Sequence, residues 1–250
     1  MKEFKQWHEE KTFKFSSQTM IYFSQCTRNG FLSLNELLKL TSDIAVEDFN
    51  QRNMSRETML EHNFMILVSR NSFRIHKMPR ENQDVTISTW EEKSEVLQFI
   101  RAYEICDTKT GEKLISGLST WLLVDSKARR LLPIKKYDLR TPVDTVTEHD
   151  CLKPAKIPEP ENMEFLAERK ICFSDLDANG HTNNSRYGAF ILDALPLEFA
   201  EKKFTDFKIN YSKEAMLGET LKIYADFSES NKITVIGKTD ASSFEAELYY

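Results

Sequence analysis

Two stretches of this chain carry the same signals in the same order, 150 positions apart. Phe23-Ser24 is followed by Asn29-Gly30, and Phe173-Ser174 is followed by Asn179-Gly180. Each stretch starts as a short strand-like run, turns at Asn-Gly and enters a helical pattern. A repeat of this size means one supersecondary unit used twice, each copy with its own apolar helix face to bury. Five of the 7 prolines fall between Pro133 and Pro160, where periodicity is lost. The reading is therefore a first unit over 1–132, a Pro-rich linker over 133–165 and a second unit over 166–250.

In the first unit, Ser33 and Glu36 have the spacing of a capping box. Leu34, Leu37, Leu38, Thr41, Ile44, Ala45 and Phe49 then follow at helical spacing. In the second, Asn183 or Asn184 is the expected N-cap, Tyr187, Phe190, Ile191 and Leu195 the buried stripe, and Pro196 the stop. Runs rich in β-branched and aromatic residues come after each helix, at 64–77, 84–93, 95–107 and 113–125, and again at 206–215, 220–229, 232–240 and 244–250. A long helix followed by antiparallel strands is an α+β unit with the sheet packed on the helix. Two in tandem, each helix wrapped by a sheet, make a double hotdog.

The bulk numbers bound the rest. With 40% hydrophobic and 29% charged residues the chain is ordinary globular material. A net charge of −5 argues against nucleic acid as a partner. Cys26, Cys106, Cys151 and Cys172 are scattered, with no C-x-x-C, and read as reduced thiols in a cytoplasmic protein. The stretch 1–15 is charged throughout, so neither a signal nor a transit peptide is expected, and no apolar run approaches a membrane span.

The second turn, Asp175 to Asn184, has two readings. Asp175, Asp177, Asn179 and Gly180 fit the first half of an EF-hand loop. The twelfth position, where calcium needs a carboxylate, is Arg186, and the preceding segment reads as a strand. Calcium is rejected, and His181 with Asp177 would leave zinc under-coordinated, so no metal is expected. In the other reading Asp177, Asn179 and His181 converge beside a helix N-terminus whose free N–H groups suit an oxyanion. Asp177 would orient Asn179 or His181. Turn-forming alone is the bland alternative. Against it, the first-unit counterparts of Asp177 and His181 are Thr27 and Phe31: one copy is acid–base, the other apolar.

At these residues the chain resembles the acyl-acyl-carrier-protein thioesterase family, in which a D-x-N-x-H-x-N-N-x-x-Y segment opens the helix of the second hotdog domain. Asp177, Asn179, His181, Asn183, Asn184 and Tyr187 occupy every fixed position. The family's later Y-x-x-E corresponds to Tyr211 and Glu214. The Cys that often follows the Glu in plant members is Ala215 here, which removes a Cys–His mechanism from that position; Cys172 is expected to be buried as a small hydrophobe.

The resemblance implies hydrolysis of fatty acyl thioesters, with Asp177, Asn179, His181 and Glu214 catalytic and no cofactor. Attack by water or by the carboxylate both remain open. It also implies an acyl tunnel in the first unit, under the helix, with Leu34, Leu37, Leu38, Met65, Leu67 and Trp90 as candidates, and Asn183, Asn184 and Tyr187 near the substrate. The expected partner is the acidic acyl-carrier protein, for which Arg129-Arg130, Lys135-Lys136, Lys202-Lys203 and Lys208 are possible docks. Monomer and homodimer are both compatible. The competing functions are an acyl-CoA thioesterase, a hotdog dehydratase and a non-catalytic acyl-binding module.

Overall fold

The strand-forming runs of both halves join one antiparallel sheet. A computed structural model describes residues 3–10 and 12–250. Met1, Lys2 and Lys11, part of the stretch read for targeting signals, lie outside the described residues. In chain order the elements are β1 (Gln6–His8), β2 (Phe15–Met20), α1 (Leu34–Gln51), α2 (Arg56–Glu61), β3 (Phe64–Ile75), β4 (Asp84–Glu92), β5 (Gln98–Asp107), β6 (Lys113–Asp125) and β7 (Leu131–Leu132). After an irregular stretch come β8 (Glu164–Lys170), α3 (Arg186–Ala194), α4 (Leu197–Ala200), β9 (Asp206–Tyr211), β10 (Thr220–Asp226), β11 (Lys232–Lys238) and β12 (Ser242–Tyr249).

The strand order is β1-β2-β4-β5-β6-β3-β9-β12-β11-β10-β8, with β7 beside β6. Read outward from the β3–β9 seam, β3-β6-β5-β4-β2 mirrors β9-β12-β11-β10-β8. The seam pairs Arg70 with Asn210 through Arg74 with Asp206, and an Arg74 Nε–Asp206 Oδ1 ion pair of 2.6 Å closes its end. Phe73 and Phe207 face each other across it, both fully buried. Both helices lie on one side of this sheet, so the α+β double-hotdog expectation describes the fold.

α1 buries the whole expected stripe from Leu34 to Phe49. The capping box does not form. Ser33 Oγ donates to the Gln25 carbonyl at 3.0 Å, and Glu36 accepts from Gln25 Nε2 at 3.3 Å, so the preceding loop recruits both side chains. The second unit's helix is half as long, 9 residues against 18, because the chain turns extended at Leu195 ahead of Pro196. Its stripe, Tyr187, Phe190, Ile191 and Leu195, is buried as expected. Gly188 is required where the helices meet: a Cβ there would lie 2.7 Å from the Asn35 backbone nitrogen.

A buried ion cluster fixes the far end of α1. Asp48 accepts from Arg101 Nη1 at 2.9 Å and from Arg52 Nη2 at 2.7 Å, and Arg52 also reaches Glu91 at 2.7 Å. The Arg101 guanidinium lies 4.6 Å from the Phe49 ring centre. The Pro-rich stretch is no free tether. Tyr137 packs among Phe49, Met54 and Phe99, and Arg140 pairs with Glu91. Thr147 and His149 bond Glu92, and Cys151 covers Trp90, Ala102 and Leu118.

Arg101→Ala leaves Asp48 and Glu91 buried without their inner cation. Breaking a buried pair from one side costs about 3–5 kcal/mol. Denaturant unfolding should show a loss of that order, several-fold larger than for Lys77→Ala at the exposed Lys77–Glu112 pair.

Candidate active site

The loop at Asp175 to Asn184 is built around a buried carboxylate. Asp175 ends a short 3-10 turn and is fully buried. Its oxygens accept from the Cys172 N–H at 2.9 Å, from Arg169 Nη2 at 3.1 Å and from Arg186 Nε at 3.0 Å. Arg186, whose charge ruled out calcium, is thus an anchor of the loop. The chain then turns tightly. Gly180 N–H donates to the Asp177 carbonyl at 3.0 Å and Asp177 N–H to the His181 carbonyl at 2.8 Å. Gly180 has φ +80°, a conformation glycine adopts without strain.

The first unit repeats this backbone at the same offset. Gly30 N–H donates to Thr27 O and Thr27 N–H to Phe31 O, at 2.9 and 2.8 Å. Gln25 takes the place of Asp175, accepting the Tyr22 N–H at 2.9 Å, and its amide donates to Glu36 where Asp175 meets Arg186.

His181 and Glu214 come together, with Nδ1 3.1 Å from Oε1. The segment carrying Glu214 is stitched to the loop: Thr182 donates its N–H and its Oγ1 to the Ala215 carbonyl, at 3.1 and 2.7 Å. Asp177 orients both neighbours through their backbones rather than their side chains, its Oδ1 accepting the N–H of Asn179 at 2.8 Å and of His181 at 3.2 Å. Asn179 is held from the other unit. Arg56, at the start of α2, donates Nε and Nη2 to Asn179 Oδ1 at 3.1 and 2.9 Å. With its oxygen occupied, the amide presents Nδ2, a donor. Arg129 Nη2 stands 3.9 Å from Glu214 Oε2. Arg56 carried no signal in the sequence, since nothing local predicts a contact across 123 positions.

Other candidates are placed differently. The N–H groups of Asn183, Ser185 and Arg186 are taken by Asp175 O, Asn183 Oδ1 and Asn183 O, so these do not form an oxyanion site. The N-cap of α3 is Ser185, not Asn183 or Asn184 as expected; Asn183 is exposed, and its Oδ1 accepts the Ser185 N–H at 2.9 Å in the turn ahead of the helix. Tyr187 is core, packed on Phe190, Tyr211 and Phe244. Burial pushes its hydroxyl pKa up against hydrogen bonds from the Ala215 backbone and Thr182.

Leu34 and Leu37 are core, whereas Asn184 and Leu38 line a cavity of about 20 Å³ with Thr41, Tyr103, Trp121 and Tyr211. That is room for one water, not for an acyl chain. Met65 and Leu67 are half-buried on β3. Trp90 does not lie under α1. Strand alternation puts Val85 and Ile87 on the helix side and Trp90 on the opposite face, stacked on His149 beneath the irregular stretch. Lys208 is a buried partner of Glu247 at 2.6 Å rather than a docking cation.

The thiols offer no nucleophile beside His181. Burial pushes Cys151 up to about 11 and raises Cys26 and Cys106. Cys172 is exposed, not buried as expected, because it opens the 3-10 turn and its sulfur bonds the Lys170 carbonyl. No group of three metal-ligating side chains exists among the described residues.

Burial alone would raise the Asp175 pKa. The Cys172 N–H, Arg186 and Arg169 outweigh it and hold the carboxyl below its ordinary value. A depressed carboxylate stabilises the fold above the unfolded-state pKa, and that contribution is lost as pH falls through the folded value. Asp175→Asn should therefore cost about 1.5–3 kcal/mol at pH 7. The gap to wild type should close below about pH 4 in denaturant titrations.

Comparison with known proteins agrees with this architecture. Residues 11–141 match the acyl-ACP thioesterase N-terminal domain, and residues 159–247 match the C-terminal domain. A palmitoyl-acyl carrier protein thioesterase of Arabidopsis thaliana is 27% identical over 168 residues, 64% of this chain and 40% of that protein. An acyl-[acyl-carrier-protein] hydrolase of Cuphea viscosissima is 26% identical over 62% of this chain and 40% of its own length. The chain thus spans about 40% of the length of these curated relatives. In three dimensions an acyl-ACP thioesterase from Bacteroides thetaiotaomicron superposes with a TM-score of 0.85 at 24% identity, covering 94% of this chain and 97% of that one. A 12:0-ACP thioesterase from Umbellularia californica gives 0.78 at 17% identity, covering 94% and 96%. With both domain types matched in order across most of its length, the chain belongs to the acyl-ACP thioesterase family.

Proposed function

We propose that this protein hydrolyses the thioester of fatty acyl-acyl-carrier protein, releasing free fatty acid and carrier protein. The observation that carries the reading is the His181–Glu214 pair at 3.1 Å, in the loop whose first-unit copy has Phe31 in place of the imidazole. The curated relatives named as acyl-ACP hydrolases support it.

Glu214 accepts the Nδ1 proton of His181 and so leaves Nε2 as the base. Nε2 takes a proton from water as the water oxygen bonds to the thioester carbonyl carbon. Asn179 Nδ2 donates to the carbonyl oxygen as it becomes negative. Arg56, bonded to Asn179 Oδ1, polarises the amide and fixes its direction. The tetrahedral intermediate collapses, the C–S bond breaks, and the thiolate takes the proton from His181. Asp177 keeps Asn179 and His181 in register through their backbones.

The acyl chain enters beneath α1 from the Asn184 side, widening the slot at Leu38, Thr41 and Trp121. Arg129, 3.9 Å from Glu214, puts positive charge beside the His181–Glu214 pair, which suits an acidic carrier protein. Four unpaired cysteines suit a reducing cytosol.

The test is thiol release from a C8–C18 acyl series carried on acyl-carrier protein and on coenzyme A. Wild type should prefer the carrier-protein donors. His181→Ala and Glu214→Gln should each lose about 10²–10⁴-fold in kcat. If wild type releases no thiol from any donor, hydrolysis is wrong and acyl binding without chemistry takes its place. Equal kcat/KM on both carriers would instead make it an acyl-CoA thioesterase. Arg56→Met should lower kcat about tenfold with little change in KM, since a donor aimed at the oxyanion acts in the transition state.

A further inference from the structure

A well-formed cavity lies away from His181. It holds about 650 Å³ and lies at the mirror position, against the first unit's loop. Thr27, Asn29 and Phe31 line it, the counterparts of Asp177, Asn179 and His181. The surrounding bonds are mirrored too. Leu32 N–H donates to the Pro79 carbonyl at 2.8 Å as Thr182 does to Ala215. Phe31 bridges Arg80 as His181 bridges Met216. Stepping back two residues puts Met78 where the other site has Glu214, and Met78 lines the cavity. Base and carboxylate are both replaced by apolar side chains, while the space remains.

Its chemistry is amphipathic. Leu32, Leu34, Met78, Leu192 and Phe204 give it an apolar floor. Around the mouth stand His76, Lys77, Arg80, Lys202 and Lys203 against one acid, Glu201, which Arg28 already neutralises. His76 and Lys77 are engaged by Asp150 and Glu112, and the Lys202 ammonium sits 4.1 Å from the Tyr250 ring centre. Arg80 and Lys203 are exposed and have no ion-pair partner among the described residues. A volume within the usual range of about 300–1,000 Å³ for ligand sites, an apolar interior and free cations at the mouth select a single hydrocarbon chain with an anionic head.

We propose that this cavity is a second, non-catalytic ligand site that binds an anionic single-chain amphiphile, headgroup on Arg80 and Lys203 and chain against Met78, Leu192 and Phe204. A long-chain carboxylate, the product class of the proposed hydrolysis, has this chemistry; an alkyl phosphate shares it. The site stands on its own lining and does not depend on hydrolysis at His181.

Calorimetric titration of the full chain with dodecanoate, dodecyl phosphate and dodecanol tests it without turnover. Saturable binding of the anions and much weaker binding of the alcohol are expected, and the ratio of the two anions identifies the headgroup. Arg80→Glu/Lys203→Glu should weaken anion binding at least about tenfold. Thiol release by that variant should stay at the wild-type rate for small acyl-CoA donors, which bring no carrier protein to dock on Lys202-Lys203, and this separates the site from the His181 site. Met78→Trp, which fills the floor, should weaken all three ligands. Should the double reversal fail to fold, Lys203→Ala at an exposed side chain should weaken the anions about threefold. Absence of saturable binding to wild type, or unchanged anion affinity in the rim variants, overturns the proposal.

Discussion

The seam between β3 and β9 is the constraint from which the other arrangements follow. Five residue pairs from Arg70–Asn210 to Arg74–Asp206 turn two half-sheets into one. Each half alone would expose an unpaired edge and a half-covered helix. Joined, both helices share one concave face and touch where Gly188 lets α3 approach the start of α1. That approach fixes where each unit's turn meets the opposite unit. Arg56 and Arg129 reach Asn179 and Glu214 because the seam sets the distance.

The two turns separate scaffold from chemistry. Their backbones share the same hydrogen bonds, the same left-handed glycine and the same anchor position, which is fully buried at Asp175 and half-buried at Gln25. The anchor pairs sit at equivalent positions but differ in charge: a carboxylate meets a guanidinium in one copy, and a neutral amide meets a carboxylate in the other. What differs is the side chains that point away from the scaffold. An imidazole and a carboxylate at 3.1 Å in one copy correspond to Phe31 and Met78 in the other. The copy that lacks the imidazole and the carboxylate keeps a cavity of its own beside the turn.

A buried ion cluster in the first unit stands just ahead of Arg56 in the chain. The Asp48, Arg101, Arg52 and Glu91 cluster pins the end of α1 immediately before α2 begins. The irregular stretch then covers the opposite face through Glu92 and Cys151. A side chain that holds another across 123 positions needs such support, because a small displacement breaks the contact.

The sequence alone determined the repeat, the order of elements, the α1 stripe and the turn that carries His181, because each rests on local spacing and on glycine and proline geometry. The Ser33 and Glu36 pattern was legible but misleading, since a side chain with several polar neighbours takes the partner that tertiary packing offers. The same holds for Cys172, exposed by a turn, and Lys208, buried by Glu247. Only the tertiary structure decided that Trp90 faces away from α1, that Arg56 holds Asn179, and that the open cavity lies at the first unit's loop. These depend on which face of a strand meets which helix and on contacts over a hundred positions apart. Periodicity fixes what an element is; where its surface lands is set by the packing of every other element at once.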